Sequence, residues 1–406
     1  APDDTVEVSV YFSPEQPILY QDTLQISSTD PAQPQYSIPL EGTGDGGPFN
    51  LGYEFWNYQV PDNPSTTFNE YRPLALKSID DVTGDGYNDV VLATRNYWTI
   101  CLNGFSSGFA SEVWRFSSYI SSNSAGGIGN TNDLPPQQRA LAVANDLNSD
   151  GHHDVVIGTG GGNEHVYALD GTNGNILWQF GTDHPDSFGL GDITSVNVDE
   201  DFNGDNINDV IASGSATSGG LDGRRSVYCF DGTNGQIIWQ KFLGCFIRMS
   251  IPVGDINGNS SLDVIAGTGD GTNNSYSIVA FDGSTTNPIW NFPVGSSTGG
   301  GRELVRYPVD GETDDVIAGA YFSPVYRLDG ETGTAVWTRS FGSVGFIHEF
   351  SLLNDINGDN LKEVLVANAT NSFHCLDGAT GNTLWSVPLG NYSWSTSAIP
   401  DITGDG

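Results

Sequence analysis

Side chains that carry oxygen return at alternate positions of a short loop, and the loop itself returns along the chain. Its form is D-x-N/T-x-D-G-x-x-D, followed by a β-branched stretch. The copies begin at Asp81, Asp146, Asp201, Asp255 and Asp355, and a further copy starts at Asp401 and runs to Gly406. Oxygen donors at alternate positions of a tight turn are what a hard cation such as Ca²⁺ requires. The expected ligands are the side chains at positions 1, 3, 5 and 9 and the backbone carbonyl at position 7. In the first loop these are Asp81, Thr83, Asp85, Tyr87 and Asp89; in the second, Asp146, Asn148, Asp150, His152 and Asp154. The third offers Asp201, Asn203, Asp205, Ile207 and Asp209, and the fourth Asp255, Asn257, Asn259, Ser261 and Asp263. The loop at Asp355 offers Asn357, Asp359, Leu361 and Glu363, whose longer arm can still reach.

Position 6 must turn sharply and favours a left-handed backbone, which Gly86 and Gly151 adopt freely and Asn206 and Asn360 tolerate. The loop at Asp255 has lost one charge and the best turn residue, so weaker binding is expected there. The segment from Asp310 to Asp315 is two residues shorter and is expected to bind no ion. The competing explanation is that Asp, Asn and Gly are simply good turn formers. Five copies in one register favour the ion.

Such loops need rigid strands on either side. A second motif alternates with the first and supplies them: Leu169-Asp-Gly to Trp178, Phe230-Asp-Gly to Trp239, Phe281-Asp-Gly to Trp290, Leu328-Asp-Gly to Trp337 and Leu376-Asp-Gly to Trp385. A looser copy ends at Trp114. Each reads as strand, Asp-Gly turn, strand. One period is then four strands: A before the acidic loop, B after it, C up to Asp-Gly, and D carrying the Trp. Trp56, Trp114, Trp178, Trp239, Trp290, Trp337 and Trp385 recur about every 45–65 residues, the spacing of propeller blades. The expected fold is all-β, a seven-bladed β-propeller of four-stranded antiparallel blades over residues 47–406, with the Trp wedged between neighbouring blades. The strand near Trp56 is expected to complete the blade begun by residues 394–406, whose remaining strands would lie beyond the sequence.

Residues 1–46 differ. Val6–Phe12, Asp22–Ser27 and Gln35–Leu40 alternate like half-buried antiparallel strands and read as the end of an immunoglobulin-like β-sandwich, followed by a Gly-rich linker.

Composition narrows the class. The net charge of −36 argues against nucleic acid as a partner, since its phosphates would be repelled. Ions in the loops would neutralise much of that charge; adaptation to high salt is the alternative. No apolar run approaches the ~18–20 residues that span a bilayer. Cys101, Cys229 and Cys375 occupy one place in three repeats and are expected to be small buried core residues, with Cys245 standing alone.

The acidic loops resemble the calcium-binding FG-GAP repeats of integrin α-subunits and their bacterial relatives, although the literal Phe-Gly-Gly-Ala-Pro string is absent. The Asp-Gly hairpins look like those of quinoprotein-type propellers. Residues 1–46 are similar to the last strands of Hydin-like "choice-of-anchor D" immunoglobulin-like domains. These resemblances imply calcium, a secreted or cell-surface setting, and a binding or adhesion role.

No nucleophile motif, zinc signature or phosphate loop is present, and no quinone site is marked. One cluster of a different kind is. Arg72, Arg139, Arg248, Arg302, His348 and Trp394 stand at or near the start of strand A in successive repeats, on the face opposite the acidic loops. Either they form a basic mouth for an anionic ligand, such as a uronate or an acidic peptide side chain, or each Arg pairs with a nearby acid and closes the ring. The reading favoured is a calcium-stabilised, non-catalytic binding or adhesion module for a glycan or protein. The alternatives are a structural subunit that assembles through the N-terminal strands, or a polysaccharide lyase or quinoprotein dehydrogenase on the same scaffold.

Overall fold

The structure, a computed structural model, describes residues 19–27, 35–43, 56–65, 71–119, 127–128, 137–160, 164–181, 192–215, 225–271, 276–295, 297, 299–311, 313–322, 324–342 and 346–398. It divides into two units, residues 58–398 and a smaller unit holding the N-terminal residues. In the smaller unit Leu19–Ser27 pairs antiparallel with Gln35–Thr43, with Leu19 opposite Thr43. The expected strand at Val6–Phe12 lies outside the described residues.

The larger unit is a β-propeller, and six of its blades are described. Blade one comprises Pro73–Ile79, Asp89–Thr94, Trp98–Leu102 and Glu112–Ser117. Blade two comprises Leu141–Ala144, Asp154–Gly160, Val166–Leu169 and Ile176–Phe180. Blade three follows with Ile193–Asn197, Val210–Gly214, Ser226–Phe230 and Ile237–Phe242. Blade four is Cys245–Val253, Asp263–Gly271, Ser277–Asp282 and Pro288–Pro293. Blade five is Gly301–Tyr307, Asp315–Ala320, Val325–Leu328 and Ala335–Arg339. Blade six is Ile347–Leu353, Glu363–Asn368, Ser372–Leu376 and Thr383–Pro388. Every blade is an antiparallel meander in chain order, strands A to D.

Residues 394–398 run beside strand A of blade six, where the inner strand of a seventh blade stands. The Thr396 N–H donates to Glu349 Oε2 at 2.8 Å, and the Thr396 and Ser351 hydroxyls are 3.2 Å apart. The remainder of that blade lies outside the described residues, as do residues 53–55 of the segment expected to close it. Gln137–Ala140 form a 3-10 turn, and no described helix is long and apolar enough to cross a membrane.

Strands B and C are buried almost throughout, because each is covered on both faces by the blades to either side. The core is accordingly a series of inter-blade layers. One holds Val156, Ala168 and Trp178 of blade two with Val196, Ala212 and Phe230 of blade three. Trp114, Trp178, Trp239, Trp290 and Trp337 are wedged between blades, as the sequence predicts, whereas Trp385 is exposed. Four of the wedged rings also donate a hydrogen bond. Trp114 Nε1 reaches Gly171 O at 2.6 Å, Trp178 reaches Gly232 O at 2.7 Å, Trp290 reaches Gly330 O at 2.7 Å and Trp337 reaches Gly378 O at 2.9 Å. The glycine of each Asp-Gly pair is needed for close approach rather than for a left-handed turn. A Cβ on Gly232 would stand 2.0 Å from the Asn208 carbonyl oxygen.

The four cysteines are free and buried, as expected. Burial pushes the Cys101, Cys245 and Cys375 thiols up to about 12.

Candidate functional site

The acidic loops share one geometry. The position-1 carboxylate is gathered by backbone N–H groups of its own turn: Asp81 Oδ1 accepts from Gly84 and Asp85, and Oδ2 from Gly86 at 2.6 Å. Asp255 and Asp355 repeat the pattern. These bonds favour the charged form and hold Asp81 and Asp255 below the usual carboxylate range. At position 5, one oxygen of Asp85, Asp150, Asp205, Asn259 or Asp359 accepts the position-7 N–H.

Position 6 is left-handed throughout, as expected, with φ of 91° at Gly86, 95° at Gly151, 69° at Asn206, 68° at Ser260 and 67° at Asn360. Position 4 is left-handed too, a feature the sequence reading missed; Ser149 takes φ 65° there, an uncommon conformation for a residue with a side chain.

Position 9 faces the other way. Asp89, Asp154, Asp209, Asp263 and Glu363 are buried, and each ties two elements together. Asp154 Oδ2 accepts the Leu147 N–H of its own loop at 2.7 Å, and Oδ1 accepts the Gly171 N–H of the Asp-Gly hairpin at 3.0 Å. Asp209 does the same with Phe202 and Gly232. Burial pushes Asp154 and Asp209 up to about 6 against the pull of those N–H groups. Position 9 is therefore a clamp, and only the lone pairs its hydrogen bonds leave are available to an ion. Consistent with this, no three His, Cys, Asp or Glu side chains converge among the described residues. The donor sets that remain mix carboxylate, amide and hydroxyl oxygens with backbone carbonyls, which suits a hard, flexible cation such as Ca²⁺ and not a transition metal.

The loop at Asp255 fits less well. Asn257 Nδ2 donates to Asp282 Oδ2 at 3.2 Å and Asn259 Nδ2 donates to the same oxygen, so two amides crowd one acid, where the loops at Asp81, Asp146 and Asp201 each set a single amide on an acid (Asn103 on Asp85, Asn148 on Asp150, Asn203 on Asp209). Blade five goes further. Its shortened loop carries Asp314 and Asp315, and arginines answer both: Arg306 pairs with Asp314 and with Glu200 at 2.6 Å, while Arg327 Nε meets Asp315 Oδ2 at 2.6 Å. Arg327 also stands 4.7 Å from the Tyr307 ring centre. Next to last in strand C, Arg327 holds the place taken in other blades by Cys101, Ala168, Cys229, Ala280 and Cys375.

On the opposite face, the structure explains why the basic residues gather. Strand A bulges near its start in several blades, with register shifts between Ile247 and Met249, Gly301 and Glu303, and Ile347 and Glu349. The residues the register skips are Arg248, Arg302 and His348; in blades one and three the equivalents are Leu74 and Thr194. A bulge re-aims the extra side chain away from its strand's normal alternation.

Arg248 and Arg302 stand 5.8 and 4.6 Å from the Tyr321 ring centre. Arg139, on the 3-10 turn, reaches across to the Arg302 carbonyl at 3.3 Å and to Glu303 Oε1 at 2.7 Å. The Glu303 contact is an ion pair without hydrogen-bond alignment, since that oxygen satisfies no hydrogen-bond geometry. His348 stacks on Trp394 at 4.3 Å. Burial, then Arg302 and Arg139, drives the His348 imidazole down to about 3, so it is neutral at pH 7. Arg72 is exposed, its carbonyl accepting the Arg95 N–H at 2.9 Å. The sequence reading missed Tyr321, Phe346 and Glu303; the aromatic pair Tyr321-Phe322 directly after strand B was the available signal. Arg139, Glu303, His348 and Lys77 line an axial cavity of about 340 Å³ between the A strands.

Fold and site together define a β-propeller with charged groups at both ends of its inner strands. The family model described as outer membrane protein assembly factor BamB matches residues 136–338, half of the chain, and the chain belongs to that family. No curated protein sequence matches it. Among solved structures it is similar to the RRP9 WD40 repeats (9% identity, TM-score 0.52, covering 82% of this chain and 84% of that one). It is also similar to BBS1N in complex with ARL6DN (13%, 0.51, 82% and 86%) and to Sqt1 of Saccharomyces cerevisiae (11%, 0.51, 75% and 72%). At these identities the likeness shows the fold alone.

Proposed function

We propose that the chain is a calcium-stabilised, non-catalytic binding propeller that presents the rim of its ring to a protein or glycan partner in a secreted or cell-surface setting. The observation that carries the calcium reading is internal to the chain. Among the described residues the loops at Asp81, Asp146, Asp201 and Asp355 keep an anionic turn with no Lys or Arg ion pair of its own, whereas blade five, with the loop shortened, supplies Arg306 and Arg327 in its place. Asp81, Asp85, Asp146, Asp150, Asp201, Asp205, Asp355 and Asp359, with Thr83, Asn148, Asn203 and Asn357, would hold the ions. Bound calcium crosslinks the strand A–B turn. Acids engaged in this way are poor general acids or bases, which supports a binding role over lyase chemistry. The family's description as an assembly factor supports a protein partner.

The test is an immobilised panel of acidic and neutral polysaccharides and an unfolded outer-membrane β-barrel protein, probed in millimolar calcium and in chelator. Retention without released product, lost in chelator, is expected. Released product would overturn the non-catalytic reading.

A further inference from the structure

We propose that the rim formed by Arg139, Arg302 and His348 binds a carboxylate carried by a peptide segment that has an apolar side chain beside it. The inference rests on the binding-propeller reading and specifies what its partner must present.

Three observations converge. First, the chain has placed basic side chains at bulges in consecutive blades, giving up regular pairing at Arg248, Arg302 and His348, and Arg139 joins them from blade two across the ring. Second, polar atoms there lack partners. Arg302 is 2% exposed and its Nε has no hydrogen-bond partner; His348 is 4% exposed and neither ring nitrogen has one; Arg139 Nε has none. A buried nitrogen donor without an acceptor is costly, so an anion that accepts from these groups would be stabilised here. Glu303 contacts Arg139 and Glu349 accepts the Thr396 N–H, so the guanidinium groups of Arg139 and Arg302 and the ammonium of Lys77 face these two carboxylates. Third, an arc of rings borders the cluster. Tyr321 and Phe346 are 4.8 Å apart, Phe322 and Phe346 5.1 Å, and Trp394 continues the arc beyond His348. Phe322 and Trp394 are about two-fifths exposed, at 40% and 42%.

Guanidinium groups beside aromatic faces suit a carboxylate next to an apolar side chain. A peptide is favoured over an acidic glycan because the chain carries a net charge of −36. A polyuronate brings a further charge with every sugar and meets that field along its length, whereas a peptide can bring a single carboxylate.

The experiment is calorimetric titration at pH 7 with Ac-Phe-Glu-Phe-NH₂, its Gln analogue, digalacturonate and inorganic phosphate. The Glu peptide is expected to bind at least tenfold more tightly than the Gln peptide. Arg302→Gln should weaken it at least tenfold while the melting temperature stays level or rises, because the variant removes a buried guanidinium whose Nε has no hydrogen-bond partner. Equal binding of the two peptides overturns the proposal, as does a melting loss in Arg302→Gln with peptide affinity unchanged. Should that variant fail to fold, Trp394→Ala at the exposed end of the arc decides: affinity several-fold weaker supports the site and unchanged affinity overturns it. Binding of digalacturonate or phosphate with the peptide silent overturns the peptide assignment. Silence of all four probes overturns the rim site and leaves the binding-propeller reading to the panel test.

Discussion

A buried imidazole and a buried guanidinium make the clearest predictions at the scale of single residues. His348 ionises near 6.5 when unfolded and near 3 when folded, so the folded state holds fewer protons in between. Its contribution to stability is complete above pH 6.5 and is lost as pH falls through that window, by up to about 1.4 kcal/mol per pH unit. His348→Phe keeps a ring against Trp394 and removes the titration. Its unfolding free energy is expected to fall less steeply between pH 6 and pH 4 than that of the parent chain; equal slopes would contradict the assignment. In blade five, Arg327→Ala strands Asp315 in the core and should cost about 3–5 kcal/mol in urea unfolding, with much of the loss recovered in Arg327→Ala/Asp315→Asn. These pairings were hard to read in the sequence. Arg327 looks like any polar residue in a strand, and only its register against Cys101, Cys229 and Cys375 shows that it stands where others need a small side chain.

At the scale of elements, the hairpin and the acidic loop act as one unit. The position-9 acid ties the loop to the facing glycine, and the tryptophan of one blade ties to the same glycine's carbonyl in the next. Trp239 breaks the pattern: its Nε1 has no hydrogen-bond partner, and Thr286, with φ 58°, stands where Gly174, Gly235, Gly333 and Gly381 stand elsewhere. Trp178→Phe loses a hydrogen bond to Gly232 and Trp239→Phe loses none. The first is therefore expected to cost about 1–2 kcal/mol more than the second in matched urea titrations. Equal losses would show that packing alone sets the staple. The strands, the four-strand period and the inter-blade tryptophans were legible because alternation, Asp-Gly and Trp repeat in register. The use made of the glycine was not, since close approach and a left-handed turn select the same residue. Bulges at Arg302 and His348 were equally hidden: an extra residue in a strand changes which way side chains point without changing composition.

In the propeller unit, six blades are described, the run at residues 394–398 lies beside the sixth, and charge is sorted between the two faces. Acidic loops line one end of the inner strands and the arginine rim lies at the other. Both clusters were visible as spacing in the sequence, since acids and arginines fell at fixed distances from strand A. The aromatic arc around Tyr321 and Phe346 was not, because residues from separate loops meet there only once the blades stack. The chain carries a net charge of −36 and so repels itself, and cations in the loops would stabilise it beyond any local crosslink. Each site filled at ten times its dissociation constant adds about 1.4 kcal/mol.

The direct test of calcium as the stabilising ion is a calorimetric melt in millimolar CaCl₂, compared with chelator and with NaCl matched in ionic strength. A melting temperature raised by calcium well beyond the matched salt is expected, with the rise cut by about a quarter when Asp146 and Asp150 are both changed to Asn, since four of the loops fit the ion well. Equal melting in calcium and in matched salt would mean that the acidic loops are turns held by their own hydrogen bonds, and would contradict the account.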